Sequence, residues 1–156
     1  MAFFAIMGVV TLAAAAVQLL AIGFVDYPAA MRWGMAAALL LFGTDHLVKP
    51  ARYLPMMPNV VPYPREIVLF TGLCEIAGAI GLLIPLLRWA AGLALAVYFV
   101  CVFPANIKNA LQGQQIDGLP EARWYYWARL PFQPLAIWWA LFSAGVTAWL
   151  LSHVAA

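Results

Sequence analysis

The chain has 156 residues and a mass of 17.0 kDa, yet 67% of it is hydrophobic, 9% is charged and its mean hydropathy is +0.93. An ordinary soluble domain is about a quarter charged, so this composition excludes a water-exposed globular surface and points to an integral membrane protein. A net charge of +2 spread over distant segments also excludes a basic patch for nucleic acid.

A transmembrane helix needs about 20 mostly apolar residues, and five runs approach that length. Lipid offers no partner to backbone polar groups, and the alternating segments of a barrel are lacking, so each run is predicted to be helical. Run A, Phe3 to Val25, contains no charged residue. No Lys or Arg precedes it, so it reads as a retained helix and not a signal peptide. Run B, about Ala29 to Val48, has Arg32 near its start and Asp45 and His46 near its end, which makes it the least apolar. Five prolines follow between Pro50 and Pro64. Run C, Ile67 to Leu87, carries one charge, Glu75, and is closed by Pro85. Run D, Trp89 to Ile107, carries none; Pro104 near its end is expected to remove one backbone bond and to kink or end the helix before Asn106. Run E, Leu130 to Ser152, opens on Pro131 and Pro134, which a first turn tolerates. The predicted fold is an all-α integral membrane protein. A four-helix transmembrane bundle, residues 29–156, is preceded by one appended N-terminal transmembrane helix, residues 1–28.

Five spans put the N-terminus, the B–C segment and the D–E segment on one side. Lys49, Arg52, Arg65, Lys108, Arg123 and Arg129 fall there, against Arg32 and Arg88 on the other, so the positive-inside rule assigns that side to the cytoplasm. Trp33, Trp89 and Trp149 then form an aromatic belt at the opposite interface, while Trp124, Tyr125, Tyr126 and Trp127 mark the first rim. Asp45, His46, Glu66, Asn106, Asn109, Gln112, Glu121 and Gln133 also collect on the first side, so a site would open there.

Glu75 is the sharpest single feature. As the ninth residue of run C it lies roughly 12 Å along the span at 1.5 Å per residue. Intramembrane ionisable groups face a bundle interior or a wet cavity and usually pair. Counting inward by equal rises brings Tyr98, and Trp138 or Trp139, to the same level. Asn106, Arg129 and Gln133 form a shallower layer, with His46 at the end of run B. The result is a polar funnel, roofed by the proline-rich segment and leading down to one carboxylate. Each member also has a bland reading: Glu75 as an interhelical hydrogen bond, Arg129 snorkelling to phosphates, Gln133 capping run E, Asn106 serving carbonyls freed by Pro104, His46 as an interfacial residue.

Gly72, Gly78 and Gly81 share the Glu75 face at spacings of three and should point into the bundle. The Ala140, Ala144 and Ala148 stripe and the Gly92/Ala96 pair read as packing surfaces too. Cys74 and Cys101 come to similar depth, but helices pack about 8–10 Å apart, too far for a disulfide, so both read as small apolar fillers. With only His46 and His153 available and on opposite faces, no metal site is expected.

Taken together, His46, Pro50, Tyr53, Met57, Pro58 and Pro62, then Thr71-Gly72-Leu73-Cys74-Glu75-Ile76 with Gly78, Gly81 and Pro85, then Val102-Phe103-Pro104-Ala105-Asn106-Ile107, then Arg129-Leu130-Pro131 and Gln133, resemble the DoxX family of small multi-pass membrane proteins. The resemblance covers about residues 29–152 and implies a four-helix bundle in a bacterial inner membrane. The family takes its name from a subunit of a thiosulfate:quinone oxidoreductase, so it implies a redox-associated role. Run A departs from the family pattern and suggests an adaptation for a partner. There is no CxxC pair to support direct thiol–disulfide catalysis.

Two functions follow as expectations. The first is a redox-associated membrane protein that binds a quinone-like or other lipophilic ligand, through Glu75, Tyr98, Asn106, Arg129, Gln133 and His46. It has no intrinsic cofactor, so a bound cofactor, such as a quinone, or a partner subunit would supply electrons. The second is a non-catalytic accessory or assembly subunit whose runs A and E pack on a larger membrane complex. A stand-alone enzyme with Glu75 as acid or base ranks behind both.

Overall fold

The computed structural model describes residues 2–112 and 123–154, and all regular structure among them is helical. The α-helices are α1 (Ala2–Ile22), α2 (Tyr27–Val48), α3 (Pro64–Leu83), α4 (Arg88–Gln112), α5 (Arg123–Arg129), α6 (Phe132–Ser143) and α7 (Val146–Val154). Glu121, expected among the first-side polar groups, lies outside the described residues.

Local chemistry fixes the helix ends. Gly23 leaves α1 at φ +75°, a conformation that costs glycine little. Asp26 then caps α2 by accepting the Ala29 N–H at 3.0 Å, with Pro28 in the first turn where its missing donor is harmless. At the other end Lys49 leads into Pro50, and two short 3-10 turns, Pro50–Arg52 and Leu54–Met56, carry the proline-rich segment. Tyr63, at φ +51°, turns the chain into α3.

Helices α2, α3, α4 and α6 close a ring, each packed on the next with α6 returning to α2. Met35, Leu39, Leu82, Leu95, Ala136 and Ala140 fill its centre. By length and composition α1, α3 and α4 can each cross a membrane, and the stretch from Trp124 through α7 makes a fourth if counted as one broken span. Five spans were expected, and α2 is the one missing. Its Arg32, Asp45 and His46 lower its hydropathy; α1, α3 and α6 pack on it, Trp33, Leu41 and Val48 stay exposed, and its polar groups serve neighbours. Arg32 donates to the Ser143 carbonyl at 2.7 Å, in the last turn of α6, where carbonyls lack helical donors.

Two further expectations are corrected. Run E is not one helix, because Gly145 at φ +84° breaks it and α7 leaves α6 with a bend of 76°. Ala140 and Ala144 are therefore buried while Ala148 is exposed. Run D does not end at Pro104: α4 continues to Gln112. The Pro104 ring is exposed, so only one backbone bond is lost and no neighbour is displaced.

Helix α1 lies outside the ring against α2. Gly34 makes this possible, since a Cβ there would collide with the Met7 carbonyl oxygen and the Thr11 hydroxyl. Only Met7 of α1 is buried, but Phe3 meets Phe42 and Phe99 and Phe4 meets Phe132, so the start of α1 reaches across α2, α4 and α6. Deleting residues 1–25 should leave a folded α2–α7 core by circular dichroism. It should also weaken any ligand held beside Phe3 and Phe4 about tenfold, as expected for losing two partly buried phenyl rings.

Candidate functional site

A cavity of about 180 Å³ opens between the ends of α2, α3, α4 and α6 and the start of α1. His46, Glu75, Tyr98, Asn106, Arg129 and Gln133 all line it. Glu75 sits on its wall, 6% exposed, one turn from Gly72 and Gly78 on the face of α3 turned into the ring. One carboxylate oxygen accepts the Tyr98 hydroxyl at 2.7 Å, and the other lies 3.0 Å from His46 Nδ1. Three helices therefore converge on one acid.

The close approach behind this contact is backbone on backbone. A Cβ on Gly43 would fall 2.8 Å from the Gly72 carbonyl oxygen, and a Cβ on Gly72 the same distance from the Gly43 oxygen. His46 is one turn beyond Gly43 and Glu75 one turn beyond Gly72, so the glycine pair sets their separation.

Nearer the mouth, Arg129 Nη2 donates to Asn106 Oδ1 at 3.3 Å, and Gln133 Nε2 donates to the Phe99 carbonyl at 2.9 Å. Asn106 thus serves Arg129 and not the carbonyl freed by Pro104, and Gln133 ties α6 to α4 instead of capping its own helix. Arg129 meets no carboxylate among the described residues. Neither tryptophan reaches Glu75: Trp138 faces outward, and Trp139 donates its indole N–H to the Met31 carbonyl at 3.0 Å, near the start of α2.

The structure adds residues that were not expected as site members. Tyr53 packs on His46 with ring centroids 3.9 Å apart and the planes tilted by 42°, and donates to Asp45 Oδ2 at 2.6 Å, where Arg52 also donates at 3.0 Å. Burial, then the bond to Asp45, pushes the Tyr53 hydroxyl well above its ordinary pKa, so it stays a donor. Phe3, Phe4, Phe42, Phe99 and Val102 supply apolar walls. Tyr125, expected at the rim, turns inward and lines the cavity, while Trp124 and Trp127 stay exposed. Tyr53 stood in the motif string and Arg52 in the charge count, but nothing in their spacing joined them to Glu75.

The roof is held by Lys108. Its ammonium donates to the Met57 carbonyl, to Asn59 Oδ1 at 2.9 Å and to the Pro55 carbonyl at 3.5 Å, which pins the proline-rich segment onto α4. Lys108→Met should release it. Hydrogen exchange over residues 55–61 should then accelerate roughly tenfold, for charge-assisted bonds worth about 1–2 kcal/mol at this half-exposed position.

No curated protein and no solved structure matches the chain. His46, Glu75, Tyr98, Asn106, Arg129 and Gln133 all fall within residues 35–144, which match the family described as "Domain of unknown function (DUF8561)", and the chain belongs to that family.

Proposed function

We propose that the chain is an integral membrane protein that holds the polar headgroup of a quinone-like or other lipophilic ligand in this chamber. The observation that carries the reading is Glu75, buried in the cavity wall and bonded at once to Tyr98 and His46. A carboxyl and an imidazole in contact can pass a proton between them with little motion. Both also stand where a ligand oxygen can replace one partner. Arg129, which donates to the Asn106 amide oxygen and meets no carboxylate among the described residues, adds donors for a second ligand oxygen. A quinone offers two carbonyl acceptors on a flat ring, which suits donors from separate helices among phenyl walls. A redox-associated role, with electrons exchanged through a partner protein, rests on the resemblance to the DoxX family and not on the chamber.

The test is purification in mild detergent followed by mass spectrometry of what remains bound. A quinone or single lipid species should accompany the wild-type protein and be lost from Glu75→Gln. A stoichiometric membrane protein with no such lipid would instead favour the accessory-subunit reading.

We also place the chamber mouth on the cytoplasmic face of the membrane, because Lys49, Arg52, Arg65, Lys108 and Arg129 lie at that end of the helices. Val60 is 90% exposed on the roof. A Val60→Cys probe, with Cys74 and Cys101 changed to serine, should resist a membrane-impermeant maleimide in intact cells and react after permeabilisation. Labelling in intact cells would reverse the orientation.

A further inference from the structure

A second cavity, about 1020 Å³, runs along the outer seam between α3 and α4. It extends from Val60 and Ile67 at the roofed end to Gly81 and Leu87 at the other. The fourteen-residue interval from Ile67 to Gly81 spans about 21 Å of helix, roughly two-thirds of a hydrocarbon core of about 30 Å. Its lips, Phe70, Val97 and Cys101, are exposed on the outer surface, and Gly78 helps to form its lining.

Among the described residues that line this groove, none carries a charge to suit a headgroup. Its two hydroxyl-bearing residues are Thr71 and Tyr98, and both hydroxyls already donate, to the Val68 carbonyl and to Glu75. What joins it to the chamber is a common partition: Met57, Thr71, Tyr98, Val102 and Ala105 line both cavities. The wall between the polar chamber and the apolar groove is thus about one side chain thick, and the Tyr98–Glu75 bond holds part of it shut.

We infer that the ligand is a lipid with one long hydrocarbon or isoprenoid tail, that the tail lies in the α3–α4 groove, and that the headgroup passes sideways from the bilayer into the chamber through the Thr71–Tyr98–Val102 partition. This rests on the chamber being a headgroup site. At about 180 Å³ the chamber is smaller than an ordinary pocket for a drug-sized ligand, about 300–1,000 Å³, so a tailed molecule must leave most of its length outside. Among the cavities described, the groove gives that length an apolar bed. Lateral entry also spares the tail a passage through water, which exposed methylenes disfavour.

Two probes separate this inference from the headgroup reading: a tail-less tetramethyl-benzoquinone and the trimethyl-benzoquinone that carries one decyl tail, both fully ring-substituted so that neither alkylates a thiol, each titrated into the full-length detergent-solubilised protein by tryptophan quenching. Ala94 is exposed and lines the groove, so Ala94→Trp should obstruct the tail without entering the core. It should lower the tailed-to-tail-less affinity ratio about tenfold. In a Cys74→Ser background, saturating decyl compound should slow alkylation of Cys101 by N-ethylmaleimide about tenfold, and the tail-less compound should not. If both compounds bind, yet Cys101 is unprotected and the ratio is unmoved, the groove is not the tail site and the chamber reading stands. If neither compound binds, both readings fail for quinones and the inference falls with them.

Discussion

Glu75→Leu is expected to destabilise the bundle by about 2–4 kcal/mol, because it orphans the Tyr98 hydroxyl and His46 Nδ1 together, and a buried polar group left unsatisfied costs about 1–3 kcal/mol. Glu75→Gln behaves differently. Its side-chain oxygen can still accept from Tyr98, and its NH2 can donate to the neutral His46 tautomer whose Nδ1 is bare, so the loss should stay within about 1 kcal/mol. What it removes is the proton that an acid can give up. Denaturant titration of the detergent-solubilised protein measures the first effect and retained ligand measures the second. A stable Glu75→Gln protein that keeps its ligand would reduce Glu75 to a structural bond. Tyr98→Phe provides a cross-check, since removing only one donor should cost less than removing the shared acceptor.

That Glu75 could be found from sequence at all follows from the cost of a charge in an apolar run, which makes an isolated carboxylate conspicuous. Its polar companions could be found by counting rises along antiparallel helices, because depth is a linear function of residue number. What depth cannot give is azimuth. Trp138 and Trp139 lie on the expected helix and still face away from Glu75, while Phe3, Phe4, Phe42 and Phe99 line the cavity yet look like any other aromatic in a chain this apolar. The break at Gly145 was equally hidden, since hydropathy runs unbroken through Ala144-Gly145-Val146 and a backbone at φ +84° leaves no mark in it. Pro104 shows the opposite error: a strong local signal was overruled because the ring points outward and α4 is held on both sides of it, by Gln133 at Phe99 and by Lys108 at the roof. Helix α2 reads as the least apolar run because Arg32, Asp45 and His46 serve neighbouring elements, a connection that needs the packing to be seen.

The contact between Gly43 and Gly72 is the other place where a single atom should have a large effect. With each missing Cβ 2.8 Å from the other glycine's carbonyl oxygen, the obstruction is backbone, which cannot rotate aside as a leucine tip can, and a Cβ on Gly72 would also come within 2.8 Å of the His46 Cβ. Gly72→Ala must therefore push α2 and α3 apart. Overpacking of this kind costs about 1–3 kcal/mol, and Gly72→Val should reach the upper end. The displacement falls one turn from the His46–Glu75 contact, so ligand retention should drop even in protein that stays folded. Gly8 supplies the control: it sits within α1 with nothing within 4 Å of its would-be Cβ. Gly8→Ala should be neutral or stabilise by up to about 1 kcal/mol, the usual gain for alanine over glycine inside a helix. If Gly72→Ala instead proves as stable as Gly8→Ala and keeps its ligand, α2 and α3 are not in backbone contact at this level. The three-helix convergence on Glu75 would then have to be abandoned.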